Sequence, residues 1–179
     1  DTWPKLKEWW RVDTEPVDWE GVTMEDGRVV ELRLPNMGLG GAVPAVIGQL
    51  TALTYLNLSG NQLTSVPTEI GQLTSLRLPG LQANQLKSVP AGIWRFTSLE
   101  SLGLGGNKLT SVPAEIWQLT SLEQLELSLN QLTSLPAEIG QLTSLTVLNL
   151  EEHRLRTLPA AIGELAVRGC KVVLMKADE

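Results

Sequence analysis

Residues 122–144 read LEQLELSLNQLTSLPAEIGQLTS, and this stretch decides the fold. Leucines occupy its first, fourth, sixth and eleventh positions, and an asparagine occupies the ninth. Leu125 and Leu127 are two residues apart, so on an extended strand both point to one side while Glu126 points to the other. The stretch therefore predicts a strand with one face in a core and one face in solvent.

The second half of the stretch predicts a return segment. Pro136 lies just beyond the strand, and because proline has no N–H it cannot donate to a strand ladder. We expect the chain to turn there into a short helical or irregular segment. Ile139 and Leu142 are then expected to point back into the core.

The pattern recurs along most of the chain. Leu53, Leu76, Leu99, Leu122 and Leu145 each occupy the first position, at steps of 23 residues. A unit this short cannot bury its leucines alone, so successive units must stack and cover one another. We predict an α/β repeat solenoid: a right-handed horseshoe with a parallel sheet on the concave face and short helical or irregular returns on the convex face.

The ninth position predicts a structural ladder. An asparagine amide both donates and accepts hydrogen bonds, so it can satisfy backbone groups where each strand bends into its return. His153 takes this position in the sixth unit and is expected to donate to the backbone in the same way. The predicted ladder residues are Asn61, Asn84, Asn107, Asn130 and His153.

From about Val29 to Leu165, this pattern resembles the leucine-rich-repeat family. The first unit is one residue longer than the others and is similar to the plant-specific subtype, with Met37 where the later units carry asparagine. The resemblance implies six repeats acting as a protein-binding module, with bounds at 29–52, 53–75, 76–98, 99–121, 122–144 and 145–167.

The flanking segments are predicted to cap the solenoid. Residues 17–24, VDWEGVTM, resemble the amino-terminal cap of plant receptor ectodomains, with Val17 and Met24 where that cap has cysteines. Residues 2–10, TWPKLKEWW, suggest a helix that begins near Pro4 and covers the open end of the core, which makes 1–28 a helical cap. In 168–179, Cys170, Val172 and Leu174 alternate as in a last strand.

Composition narrows the range of partners. The net charge of -6 and a pI near 4.9, with scattered Lys and Arg, give no positive field for nucleic acid. No stretch approaches the roughly 20 apolar residues of a membrane span. A single cysteine, Cys170, cannot form an internal disulfide, which favours a cytoplasmic location. Secretion stays open if Asp1 is a processed end.

The chain offers little chemistry for catalysis. It contains one histidine and one cysteine, without any recurring spacing of metal ligands. We therefore expect no enzyme activity, no cofactor and no metal site. An enzyme would need a catalytic domain outside this sequence.

The outward strand positions form the predicted concave binding face. Carboxylates gather toward its carboxyl end, which favours a partner that presents basic residues there. Pro79 stands where an inward leucine belongs, so we expect either a bulge or an interrupted strand, with a dent in the face. The candidate contact residues are Arg33, Tyr55, Asn57, Gln82, Glu126, Leu129, Asn149 and Glu151.

Two tryptophans suggest a second surface on the convex side. Trp94 and Trp117 lie 23 residues apart and replace the glycines that sister repeats carry at Gly71 and Gly140. An exposed pair could serve as a docking patch or join copies of an otherwise monomeric chain. In the alternative interpretation, each ring lies flat over its own return segment.

The sequence thus predicts a non-catalytic protein-binding scaffold. The alternative is the ectodomain of a recognition receptor that binds a peptide or a glycan. A self-assembling structural role is a further hypothesis, which light scattering against concentration would test.

Overall fold

The computed structural model describes residues 20–174, apart from the side chain of Leu78, and these residues form one stack of coils. We call each repeat, from strand through return, a coil. The main sheet has eight strands, and each of the later coils adds one strand to it. In spatial order they are β1 (Val22–Glu25), β2 (Arg28–Arg33), β4 (Tyr55–Asn57), β6 (Leu78–Gly80), β7 (Ser101–Gly103), β8 (Gln124–Glu126), β9 (Val147–Asn149) and β10 (Lys171–Val173).

The strands pair in parallel, except that β1 runs antiparallel to β2. The register keeps the middle residue of each strand in line, so Leu102, Leu125 and Leu148 stack one above another. All three leucines are at most 1% exposed. A second sheet of two parallel strands, β3 (Gly40–Ala42) and β5 (Gln62–Ser65), lies beside the first coils and was not predicted.

The returns are short 3-10 helices. They are η1 (Ala45–Gln49), η2 (Thr68–Gln72), η3 (Ala91–Arg95), η4 (Ala114–Gln118) and η5 (Ala137–Gln141). A proline precedes each of them with φ between -62° and -75°, the angle that its ring imposes. Ile139 and Leu142 are fully buried, as predicted. The sixth return is instead an α-helix, α1 (Ala160–Val167).

Only part of each predicted cap lies within the described residues. The predicted helix around Pro4 and the tail residues Asp178 and Glu179 fall outside them. Residues 20–28 are not helical, because β1 forms a hairpin with β2 there. At the other end β10 pairs with β9, and Cys170 just before it is 6% exposed.

Pro79 occupies the inward position of β6 without a bulge. It is buried and lies opposite Leu56, so the register with β4 stays continuous. On the other side, the pairing of β6 with β7 shrinks to Gly80 and Gly103. Of the two predicted outcomes, the structure therefore has the interruption, and it falls on the β7 side.

Among residues 20–174, no helix is both long and apolar enough to cross a membrane.

Candidate functional site: the concave face

Three strands end in a polar residue that points outward onto the concave face. The side chain of this residue accepts a hydrogen bond from the turn that follows the strand. Asn57 Oδ1 accepts from the Ser59 N–H at 2.9 Å, and Asn149 Oδ1 accepts from the Glu151 N–H at 3.0 Å. Glu126 repeats the arrangement by accepting from the Ser128 N–H at 2.8 Å. These three candidate contact residues are therefore held in place, which lowers the entropy that a partner's binding must remove.

A cation lies over an aromatic ring at the amino-terminal end of the face. The Arg33 guanidinium carbon is 4.1 Å from the centre of the Tyr55 ring, which is the geometry of a cation–π contact. Arg33 Nη2 also donates to Glu31 Oε2 at 3.0 Å. The two candidates thus form one connected, partly exposed group that spans β2 and β4.

A notch lies in the middle of the face, at the position of the predicted dent. Its volume is about 210 Å³, and its lining residues are Tyr55, Asn57, Pro79, Gly80, Gln82, Ser101 and Gly103. Gly80 and Gly103 leave the sheet bare here, whereas Asn57, Glu126 and Asn149 cover it in other coils. Gln82 lies across this floor, since a Cβ on Gly103 would come within 2.6 Å of Gln82 Oε1. The notch is large enough for one side chain but smaller than usual small-molecule sites of roughly 300–1,000 Å³.

The carboxyl-terminal end of the face combines carboxylates with one exposed leucine. Glu126 Oε2 accepts from Asn149 Nδ2 at 2.8 Å, so this carboxylate is fixed between two coils. Leu129 is 54% exposed and has φ of 52°, in the left-handed region that L residues rarely adopt. Glu151 lies on the next coil, and its carbonyl accepts from the Leu129 N–H at 2.9 Å.

Sequence reasoning missed the strain at Leu129, although the sequence carried a signal for it. The turn has positive φ at this position in the other coils too: 66° and 65° at Gly60 and Gly106, and 52–57° at Asn36, Ala83 and Glu152. Glycine in two sister repeats indicates a turn that needs positive φ. An exposed leucine kept at such a position is unfavourable for folding, which makes it a candidate contact.

The four asparagines form a ladder that joins successive coils. Asn107 Oδ1 accepts from the Leu86 N–H at 3.0 Å, and its Nδ2 donates to the carbonyls of Leu81 and Leu104, both at 3.0 Å. Asn84 and Asn130 repeat these bonds in their own coils, and Asn61 does so with one more donor from the first coil. All four side chains are 6–7% exposed, so they hold the fold and present no surface to a partner.

The expectation that His153 continues this ladder is wrong. Both of its ring nitrogens are buried, and neither makes a hydrogen bond with the described residues. Burial lowers the pKa of His153, while the nearby Asn130 backbone and the Glu126 carboxylate raise it to a smaller extent. The Asn130 backbone is therefore close, but it does not meet the geometry of a hydrogen bond with the ring.

The predicted pair of exposed tryptophans on the convex side must also be corrected. Trp94 is 2% exposed and belongs to the hydrophobic core, whereas Trp117 is 44% exposed. Of these two rings, only that of Trp117 is exposed enough to contact a partner or another copy of the chain.

The described residues offer no group of three or more His, Cys, Asp or Glu that could hold a metal ion. Burial raises the pKa of the Cys170 thiol, which keeps it protonated and unreactive. The arrangement on the concave face is suited to non-covalent contact: fixed polar groups, a one-residue notch and an exposed leucine.

The stacked coils, buried asparagine ladder and open parallel sheet define the class of leucine-built repeat solenoids. A family model described as a leucine-rich repeat region matches residues 28–131, and a model of the single leucine-rich repeat matches residues 121–142. The first match covers more than half of the chain. The chain belongs to the leucine-rich-repeat family.

Its relatives include receptors. A probable inactive leucine-rich repeat receptor-like protein kinase of Arabidopsis thaliana is 44% identical over 54 residues, which make up 30% of this chain and 8% of the kinase. The chain thus spans less than a tenth of that curated relative.

Solved structures give the same family. A leucine-rich-repeat protein of Leptospira interrogans is 38% identical, with a TM-score of 0.67 over 73% of this chain and 33% of that chain. The ectodomain of the Arabidopsis receptor kinase HAESA, in complex with an IDA peptide hormone ligand, is 27% identical, with a TM-score of 0.78 over 91% and 29%. The single cysteine led us to expect a cytoplasmic location, and these similar proteins do not support that expectation.

Proposed function

We propose that this chain is a recognition module that binds a protein or peptide segment across its concave face. The observation that carries the proposal is the exposed Leu129, which lies at a left-handed position on that face between the carboxylates Glu126 and Glu151. A solvent-exposed leucine with a strained backbone is unfavourable for the stability of the fold. Contact with a partner would compensate for it.

The proposed segment runs across the strands. Its amino-terminal contacts are Arg33 and Tyr55, one side chain enters the notch over Gly80 and Gly103, and apolar and basic side chains meet Leu129 and Glu151. The carboxylates at the carboxyl-terminal end of the face favour a basic segment. Attraction between opposite charges mainly speeds association and fixes the position of the bound segment along the face. Gln82, Asn57 and Asn149 supply neutral hydrogen-bonding groups between these ends.

We further propose that the module works outside the cell, as part of a receptor or as a secreted protein. Similarity to the HAESA ectodomain, which was solved with a peptide hormone, supports this location and an extended peptide as the ligand class. A glycan is the second candidate ligand, supported by the neutral amides and the aromatic ring of the notch. The module itself is proposed to be non-catalytic, because the described side chains of the repeats are placed for stacking and for non-covalent contact.

A displayed library of random peptides, selected on the immobilised chain, tests the concave assignment. Binders should be enriched in basic and apolar residues. Their affinity should fall by at least about tenfold, which is 1.4 kcal/mol, when Glu126→Lys, Leu129→Gly and Glu151→Lys are combined.

A matched variant on the other surface serves as the control. Glu115→Lys, Trp117→Gly and Glu138→Lys change the same residue classes on the convex returns, and affinity should stay within about twofold. If the convex variant loses binding and the concave variant keeps it, the concave proposal fails. A glycan array with the same two variants distinguishes the second ligand class.

A further inference from the structure

The sixth coil lacks the ladder hydrogen bonds that asparagine makes in the earlier coils. In the fifth coil, Asn130 Oδ1 accepts from the Leu109 N–H at 3.0 Å, and its Nδ2 donates to the carbonyls of Leu104 and Leu127 at 2.9 Å each. The groups at the same positions relative to His153 are the Leu132 N–H and the carbonyls of Leu127 and Leu150. The ladder would reach the last coil if His153 bonded them.

His153 bonds none of them. Its ring carries one donor and one acceptor at fixed angles, unlike a carboxamide, whose NH₂ group reaches two carbonyls at once. Leu132 is fully buried, and within residues 20–174 its N–H makes no hydrogen bond. The fifth and sixth coils are therefore joined without the contact that joins every earlier pair from Asn61 onward.

The segment that carries His153 is held by few other contacts. In the fifth coil the Leu129 N–H donates to the Glu151 carbonyl and the Gln131 N–H donates to the Leu109 carbonyl. No backbone group of residues 152–158 makes a hydrogen bond within the described part of the chain. A segment with few backbone bonds opens at a small free-energy cost compared with the core.

The buried imidazole faces few charges that could hold a proton on it. Glu126 on β8 is the carboxylate whose field reaches the ring, and both of its oxygens already accept hydrogen bonds, from Ser128 and Asn149. The remaining charged groups on the elements packed around this end are Glu151, Glu152, Arg154 and Arg156 on its own coil, Glu164 and Arg168 on α1, and Lys171 on β10.

The sign of the pH effect follows from burial. Burial lowers the pKa of His153 below its ordinary value of 6.5, so the closed coil holds the ring neutral. When the segment opens, the ring meets water and takes up a proton at the ordinary pKa. Acidification through that value therefore favours the open form, and the effect is complete once the pH falls below the lowered pKa of the closed form.

We propose that His153 is a proton-operated latch, whose protonation releases residues 152–158 from the fifth coil while the first five coils stay folded. Glu151 immediately precedes this segment and Leu129 is bonded to its carbonyl, so opening changes the carboxyl-terminal end of the concave face. The latch itself does not depend on any partner of that face.

Amide hydrogen exchange with and without His153→Asn tests the latch. The whole chain is compared at about pH 7.5 and about pH 5.5, on either side of the ordinary histidine pKa of about 6.5, after correction for the intrinsic exchange rate at each pH. The wild-type chain should lose protection at the lower pH at the Leu129 and Glu151 amides, which bond the Glu151 carbonyl and Asn149 Oδ1 at the edge of the segment. His153→Asn, which restores the ladder residue, should keep that protection at both pH values.

Equal loss of protection in the two chains, or no loss in the wild type, would overturn the proposal. A second measurement uses only the wild-type chain, so it tests the latch even if the variant does not fold. Because the chain has one histidine, its ring signal is unambiguous in a proton NMR titration. The midpoint in the folded wild type should lie below that in the urea-unfolded chain, and a midpoint at or above it would also overturn the latch.

Discussion

Removal of the Asn107 side chain measures what the ladder contributes to stability. Asn107→Ala deletes the acceptor of the Leu86 N–H and the donor to the carbonyls of Leu81 and Leu104. Those two carbonyls keep a second donor, because Asn84 Nδ2 also bonds Leu81 at 3.1 Å and Asn130 Nδ2 also bonds Leu104 at 2.9 Å. Only the buried Leu86 N–H is left unsatisfied. We therefore expect the free energy of unfolding to fall by about 1–3 kcal/mol.

Urea unfolding, followed by circular dichroism, gives the change in the free energy of unfolding. In a thermal melt the same change should lower the Tm by about 2–4 °C for each kcal/mol. Gln131→Ala is the matched control, since this exposed amide adjoins Asn130 and its side chain bonds no described residue. The reasoning fails if Asn107→Ala stays within about 0.5 kcal/mol of the wild type, the range of ordinary surface substitutions.

Three further predictions follow from burial and backbone geometry. Leu104→Ala should lower the free energy of unfolding by about 2–5 kcal/mol in a urea titration, because the side chain is fully buried, and a change below about 1 kcal/mol would contradict the stacked core. Leu129→Gly should raise it by up to about 1 kcal/mol, since glycine adopts positive φ without strain, and a lower value would show that Leu129 packs usefully. Trp94→Gly should lower it by at least about 3 kcal/mol and Trp117→Gly by less, and the opposite order in paired thermal melts would contradict the burial of Trp94.

The concave face was predictable to the level of which side chains point outward. Alternation along each strand puts Asn57, Glu126 and Asn149 on one face, whatever the neighbouring coils do. Their hydrogen bonds to the turn that follows, and the contact of Arg33 with Tyr55, were not predictable, because they depend on side-chain rotamers and on the distance between strands. Pro79 predicted a dent in the face. Only the pairing of β6 with β4 and β7 showed that the interruption lies on the β7 side.

The two corrected predictions have a common physical origin. Trp94 and Trp117 occupy equivalent positions, as do Asn130 and His153, so a periodic pattern treats the members of each pair alike. Whether an indole is buried depends on how the neighbouring coils cover it: Trp94 is 2% exposed and Trp117 is 44% exposed. Whether a ring nitrogen finds a partner depends on its direction relative to backbone groups of the preceding coil.

The sequence by itself determined the period of 23 residues, the inward leucines, the proline-led returns and the asparagine ladder. These features follow from local patterning, in which each residue's direction is set by strand alternation and by its own backbone limits. Only the tertiary structure decided that the ladder ends before His153, that Trp94 is buried and that a notch opens over two glycines. Those outcomes depend on how closely adjacent coils pack, and the packing distance is set by side chains far apart in the sequence.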